Sequence, residues 1–264
     1  MIEQIGNANR IGVALSGGGA RSIVHLGMLQ ALEEMDVKPS YISGASAGAI
    51  VGALYATGRN PRDILEIIIN FNFRRVLTPA LNWRGFLKLE KALGKLDQLF
   101  SDNSFESLEI PLVVSATNLS KGAVKYFKKG QLIQPLIASC SIPVLFNPVK
   151  INGVAYVDGG ITDNMPVGPL RKKCDFIIGM HCNPIIKNVR VNNWKDMLER
   201  TLLISISSAT YSRRKKCQLF LEPQEIGNYK VFDVKKAKEI FNIGYEYGAR
   251  YFKDQLSSHL DQIK

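Results

Sequence analysis

The chain has 264 residues, 46% hydrophobic and 22% charged, enough apolar material for a buried core and too little charge for wholesale disorder. Lys and Arg number 34 against 23 Asp and Glu, a formal charge of +11 that points to nucleic acid, an anionic membrane surface or a phosphate-bearing substrate. Four scattered cysteines with no CxxC pair argue against a disulfide scaffold and against a structural zinc site.

Elements are predicted in chain order from hydrophobic period and turn residues. Residues 11–15 form an apolar strand that breaks into Gly17-Gly18-Gly19. Ile23, Leu26, Leu29, Leu32 and Met35 then recur at helical spacing. A second short strand is expected over 37–42, ending at Gly44, and a small-residue helix over 47–57 that Gly58 stops. Pro61 and Asp63 open a third helix through Ile69. The mixed segment 71–103 is read as a cap or lid. Strands return at 112–117, 124–127, 154–157 and 176–180. Residues 194–212 read as an amphipathic helix with Trp194, Met197, Leu198, Leu202 and Ala209 inward. A last helix, 234–256, buries Ile240, Phe241, Tyr245 and Phe252. Alternating strands and helices indicate an α/β fold, and the absence of repeats or linkers indicates one domain over 1–264.

Two uncharged stretches, 39–58 and 130–149, are interrupted by proline or dominated by Gly, Ala and Ser, so they are read as buried segments and not membrane spans. No basic segment followed by an apolar core opens the chain, and a cytoplasmic location is expected. Charge is uneven: residues 161–264 hold 18 Lys and Arg against 11 Asp and Glu, or +7. The run Arg213-Arg214-Lys215-Lys216 is read as a solvated helix end. Nucleic acid is disfavoured because no zinc-finger, RNA-binding or basic-zipper pattern accompanies it.

Three motifs carry chemistry. Gly44-Ala45-Ser46-Ala47-Gly48 is a G-x-S-x-G between a strand and a helix. It is either a nucleophile elbow presenting Ser46 or a glycine-rich turn packed in the core. Ser16-Gly17-Gly18-Gly19-Ala20-Arg21 also joins a strand to a helix. It lacks the sixth-position glycine of a dinucleotide loop and the G-K-[ST] of a P-loop, so an oxyanion hole is the better reading. Arg21 either completes that site or makes a structural ion pair. Asp158, at a strand end before Gly159-Gly160, is a base whose strength burial would raise, or a turn-forming aspartate. Only three histidines exist, His25, His181 and His259. The order Ser46, Asp158, His259 imitates an α/β-hydrolase triad, but a nucleophile after the second strand comes too early for that fold.

Taken together and in order, the glycine loop, the G-x-S-x-G and Asp158-Gly159-Gly160 resemble the patatin-like phospholipases, with residues 138–143 and 146–149 resembling the loop before the Asp-Gly-Gly strand. The resemblance covers about residues 11–168, with a looser basic helical part over 190–264. It implies a three-layer α/β/α fold with a mostly parallel central sheet and hydrolysis of lipid acyl esters with no cofactor and no calcium. It also implies a Ser46–Asp158 dyad with Gly17, Gly18 and Gly19 as the oxyanion loop. Ser22 stands where many relatives have glycine. The partners expected are a lipid or acyl-ester substrate and, given the charge, peripheral contact with an anionic membrane surface. A regulatory adaptor on the same fold, binding through the basic C-terminal part, is the alternative. No motif speaks to oligomeric state.

Overall fold

Strand β1 (Ile11–Leu15) is buried along its whole length and lies inside a mostly parallel sheet. The computed structural model describes residues 5, 8–71, 78–82, 85–88, 96–100, 102–187 and 189–263. After β1 come α1 (Val24–Glu33), β2 (Tyr41–Ala45), α2 (Ser46–Tyr55) and α3 (Pro61–Asn70). A separate hairpin, β3 (Thr78–Asn82) with β4 (Gly85–Lys88), precedes β5 (Leu112–Asn118), β6 (Ala123–Phe127) and α4 (Ile133–Ser139). β7 (Val149–Ile151), β8 (Val154–Asp158), the helical turn α5 (Gly160–Asp163) and β9 (Phe176–Met180) follow. The chain ends with α6 (Trp194–Arg214), β10 (Leu219–Leu221) and α7 (Ala237–Ile263).

The sheet runs β10-β9-β1-β2-β5-β8-β7, with β6 also paired to β5. Its first five strands are parallel, while β6, β7 and β8 are antiparallel to their neighbours. Alternation along β1 sorts the two faces. Val13 and Leu15 join the core built by α1, α2 and α7, whereas Ala14 packs with Met165, Val167, Leu170 and Ile177 on the other face. α6 closes that second side against α5.

Several boundaries differ from the sequence expectation. The second strand is Tyr41–Ala45 and not 37–42, because residues 37–40 are spent on a connection. Val37 N–H bonds the Leu32 carbonyl to close α1, and Ser40 N–H reaches the Ile11 carbonyl. Pro39 has no N–H to give a ladder. Trp194 and Met197 are exposed, at 59% and 58%, so only Leu198 and Leu202 of the expected inner set face inward. The side chains of 72–95 and Ala209 lie outside the described residues. The run at 213–216 does close a helix: Arg213 pairs with Asp163 at 3.4 Å and Arg214 lies over the Phe220 ring.

α7 seats the end of the chain on its beginning. It crosses α1 at Gly27 and Gly244, where a Cβ on Gly27 would lie 2.0 Å from the Phe241 carbonyl oxygen. Gly27→Ala is therefore expected to cost about 3 kcal/mol or more by forcing two backbones apart. Urea unfolding checks this; an unchanged midpoint would mean the two helices do not cross there.

Candidate active site

Sheet register brings the two motif residues together. β6 occupies one edge of β5 over residues 114–118, so β2 and β8 must share the other edge. β2 ends with Ala45 opposite Ser115, and β8 ends with Asp158 opposite Ala116. The two strands run toward each other, and their C-terminal ends meet over adjacent residues of β5. Ser46, the next residue after β2, thus faces Asp158 across 112 positions of chain.

Ser46 Oγ donates to Asp158 Oδ2 at 2.7 Å, and both residues are buried. Ser46 has φ 51°, a left-handed conformation that costs a non-glycine residue roughly 1–3 kcal/mol. Its backbone N–H is held by Ser139 Oγ at 2.7 Å, which helps fix the turn. Asp158 Oδ1 accepts the Gly160 N–H at 2.7 Å, its N–H goes to the Ser141 carbonyl, and its carbonyl accepts from Thr117 Oγ1. Burial pushes its carboxyl up to about 6, against the opposing pull of the Ser46 and Gly160 hydrogen bonds.

The glycine loop lies against this pair: a Cβ on Gly17 would approach Ser46 Cβ to 2.8 Å. Its three N–H groups are not equivalent. Gly17 N–H is already spent on the Asn164 carbonyl at 3.1 Å, whereas among the described residues no acceptor engages Gly18 or Gly19 N–H. Of the three glycines expected as donors, Gly18 and Gly19 are thus the two whose N–H groups are unengaged among the described residues. Gly19, at φ 58°, turns the chain into a short 3-10 helix (Gly19–Ile23). The loop is pinned from behind by Asn183 Nδ2 on the Gly17 carbonyl and by Cys182 N–H on Ser16 Oγ.

The loop and the dyad open into a cavity of about 450 Å³. One wall is Ile142, Pro143 and Leu145; the other is α6, through Leu198, Leu202, Leu203 and Ile206. Lys230, Val231 and Phe232 complete the mouth. Among the described residues the apolar walls of the cavity are thus supplied by the 142–145 loop and by α6.

Residues 13–171 match the family model of patatin-like phospholipases, three-fifths of the chain. The chain belongs to the patatin-like phospholipase family. Lysophospholipase NTE1 of Meyerozyma guilliermondii is 27% identical to this patatin-like chain over 284 residues, 94% of it and 20% of that protein. An uncharacterised NTE family protein of Mycobacterium tuberculosis is 34% identical over 163 residues, 61% of this chain and 45% of its own length. The chain therefore spans less than half the length of the curated relatives it matches. Among solved structures, VipD from Legionella pneumophila shares the fold, with a TM-score of 0.61 at 17% identity over 93% of this chain and 67% of its own.

In this patatin-like site the remaining sequence candidates have other roles. Arg21 is buried and does not line the cavity: its Nε donates to the Tyr229 carbonyl at 2.6 Å and its guanidinium pairs with Glu199 at 3.6 Å. Of its two readings the ion pair is the one present, and it ties the glycine loop to α6. His25 Nε2 donates to the Ser16 carbonyl at 2.9 Å, and full burial lowers its pKa to about 4. His181 Nδ1 contacts Glu222 Oε1 at 2.6 Å, and Tyr211 donates to the same oxygen. Neither ring bonds Ser46. The His259 side chain lies outside the described residues. Sequence reasoning missed Asn164, Asn183 and Ser139, polar residues that hold the loop and the elbow from far along the chain. Asn164 sits just beyond the Asp-Gly-Gly turn, the one local hint of its part.

Proposed function

We propose that this chain hydrolyses the carboxyl ester of a lipid through a Ser46–Asp158 dyad. The observation that carries this is the 2.7 Å hydrogen bond between a strained serine and a buried carboxylate at the floor of an apolar cavity. Ser46 Oγ attacks the ester carbonyl as its proton passes to Asp158 Oδ2. The oxyanion accepts the Gly18 and Gly19 N–H groups, which cost no reorganisation as charge develops. Collapse of the intermediate expels the alcohol, which takes the proton from Asp158. Water then gives its proton to Asp158 and attacks the acyl-enzyme; collapse breaks the acyl–Oγ bond, releases the fatty acid and returns the proton from Asp158 to Ser46 Oγ. Electrostatics suits this cycle, because a carboxylate poised near 6 is ionised at neutral pH yet far more basic than an exposed aspartate.

A single-chain lysophospholipid is the substrate class this reading favours. Relatives matching 94% of the chain are named lysophospholipases, and a cavity of about 450 Å³ lies toward the lower end of the roughly 300–1,000 Å³ of small-molecule sites. The adaptor reading gains no comparable support, since binding a partner protein requires neither a strained serine nor its buried carboxylate. Product masses from a lipid panel test the proposal: fatty acid should appear from lysophospholipid with wild type and not with Ser46→Ala. Release from every lipid by both proteins would place the activity elsewhere.

The +7 over residues 161–264 supports attraction to anionic membrane surfaces, and among the described residues no helix is long and apolar enough to cross a membrane. Binding to anionic vesicles should exceed binding to neutral ones in sedimentation and fall as salt is raised. Equal binding to both would remove the electrostatic part.

A further inference from the structure

Among the described residues nine large hydrophobic side chains are strongly exposed, and eight of them belong to segments that wall or adjoin the cavity. Ile161, Trp194 and Phe232 line its mouth. Val144 projects from the loop whose neighbours Pro143 and Leu145 line it, and does so at φ 71°, a conformation a β-branched residue rarely adopts. Val189 and Val191 lead into α6, and Met197 and Ile204 stand on that helix. Only Leu119 lies elsewhere.

α6 is the informative element. A helix covering a core needs one apolar stripe. At ~100° per residue, Leu198, Leu202 and Ile206 form the stripe facing the cavity, while Met197 and Ile204 share a second stripe turned away from it. Trp194 sits at the seam between the two. Among the described residues nothing covers the outer stripe, and Met197 and Ile204 are 58% and 51% exposed. Such a patch, contiguous with a cavity mouth, marks a surface of interaction. Its surroundings select the partner: Lys187, Arg190, Lys230 and Lys235 are all exposed within the same segments. Residues 187–236 hold eleven Lys and Arg against five Asp and Glu. Apolar side chains with a tryptophan at the water boundary and cations around them fit the acyl and headgroup layers of an anionic bilayer.

We propose that the outer stripe of α6, with the Val144 loop and Phe232, is the face by which the protein seats on an anionic lipid surface, mouth toward the membrane. This deepens, and rests on, the lipid-hydrolase reading. A lipid then passes from bilayer to cavity along apolar surface without its acyl chain crossing water.

The test uses the full chain and vesicles of phosphatidylglycerol mixed with phosphatidylcholine. The key variant is Met197→Ser/Ile204→Ser, whose residues do not line the cavity. Wild type should sediment with vesicles, and Trp194 emission, read in a Trp83→Phe background, should move to shorter wavelength. The double variant should bind about tenfold more weakly or worse, lose hydrolysis of vesicle lipid in parallel, and keep its turnover of a soluble short-chain ester. Undiminished vesicle binding by the double variant overturns the docking face and leaves the hydrolase reading standing. Weakened binding with no lipid cleaved by either protein supports the face and removes the hydrolase reading. Absent vesicle binding, with concentration-dependent self-association in light scattering that the double variant abolishes, makes the patch a protein interface and overturns the proposal.

Discussion

Ser46→Ala is expected to reduce ester turnover by roughly 10⁴-fold or more, leaving a residue of catalysis from the oxyanion donors and substrate binding. The hydroxyl is the only side-chain group hydrogen-bonded to the buried carboxylate among the described residues, so no neighbour inherits its role. The neighbouring Cys140 is no ready substitute, because burial and the nearby Asp158 push its thiol well up, away from the reactive thiolate. Folding should survive: alanine keeps the strained backbone and the Ser139 hydrogen bond to residue 46, so a thermal midpoint near that of wild type separates lost chemistry from lost structure. A fluorophosphonate probe should label wild type and not the variant. His259→Ala should retain activity, whereas its loss with the fold intact would turn the dyad into a triad. Ser46→Ala with more than a tenth of wild-type turnover would move the nucleophile elsewhere.

What made Ser46 legible was punctuation. Glycines on both sides of it and β-rich residues before it mark a strand-turn-helix, and the same logic located the loop after β1. Local pattern does not by itself fix the register between strands far apart in the chain. That Asp158 meets Ser46 follows from β2 and β8 ending over Ser115 and Ala116 of β5, a pairing no window of sequence contains. That the Gly17 N–H is already engaged likewise depends on the Asn164 carbonyl, 147 residues away. The error at Trp194 and Met197 has another origin. Helical periodicity identifies apolar stripes without saying which is covered, and α6 carries two, so Trp194 and Met197 are expected inside together with Leu198 and Leu202. The start of β2 was misplaced because Val37 is as strand-prone as Ile42, although its N–H caps a helix. At Asp158 and Gly17 a long-range partner decided what local preference left open.

Asp158→Asn is expected to remove activity while stabilising the fold at neutral pH, two effects of one burial. The substitution preserves shape and hydrogen bonding: the amide oxygen can take the Gly160 N–H, and the amide nitrogen can donate to Ser46 Oγ. What disappears is the proton acceptor, and turnover should fall roughly 10²–10⁴-fold, the typical worth of a positioned base. In wild type the same carboxyl titrates at about 6, against about 4 in an unfolded chain, so the folded state holds its proton more tightly. Stability from this group is therefore complete below about pH 4 and is lost as pH rises through about 6. Above that, ionised Asp158 costs on the order of 3 kcal/mol, which the asparagine variant does not bear. The thermal midpoint of Asp158→Asn should exceed that of wild type at pH 7 to 8, and the gap should close by pH 4. Other carboxylates titrate alike in both proteins and cancel in the comparison. Wild-type kcat/KM should rise about tenfold per pH unit below pH 6 and then level, since only the ionised carboxylate accepts the serine proton. A midpoint difference that persists unchanged at pH 4 would detach the stabilisation from burial of charge. A wild-type profile flat through pH 5 would detach the base from Asp158. Both expected results draw on one physical cause, burial of the Asp158 carboxyl: the desolvation that costs stability when the group ionises is the same that raises its basicity, as the proposed activation of Ser46 requires.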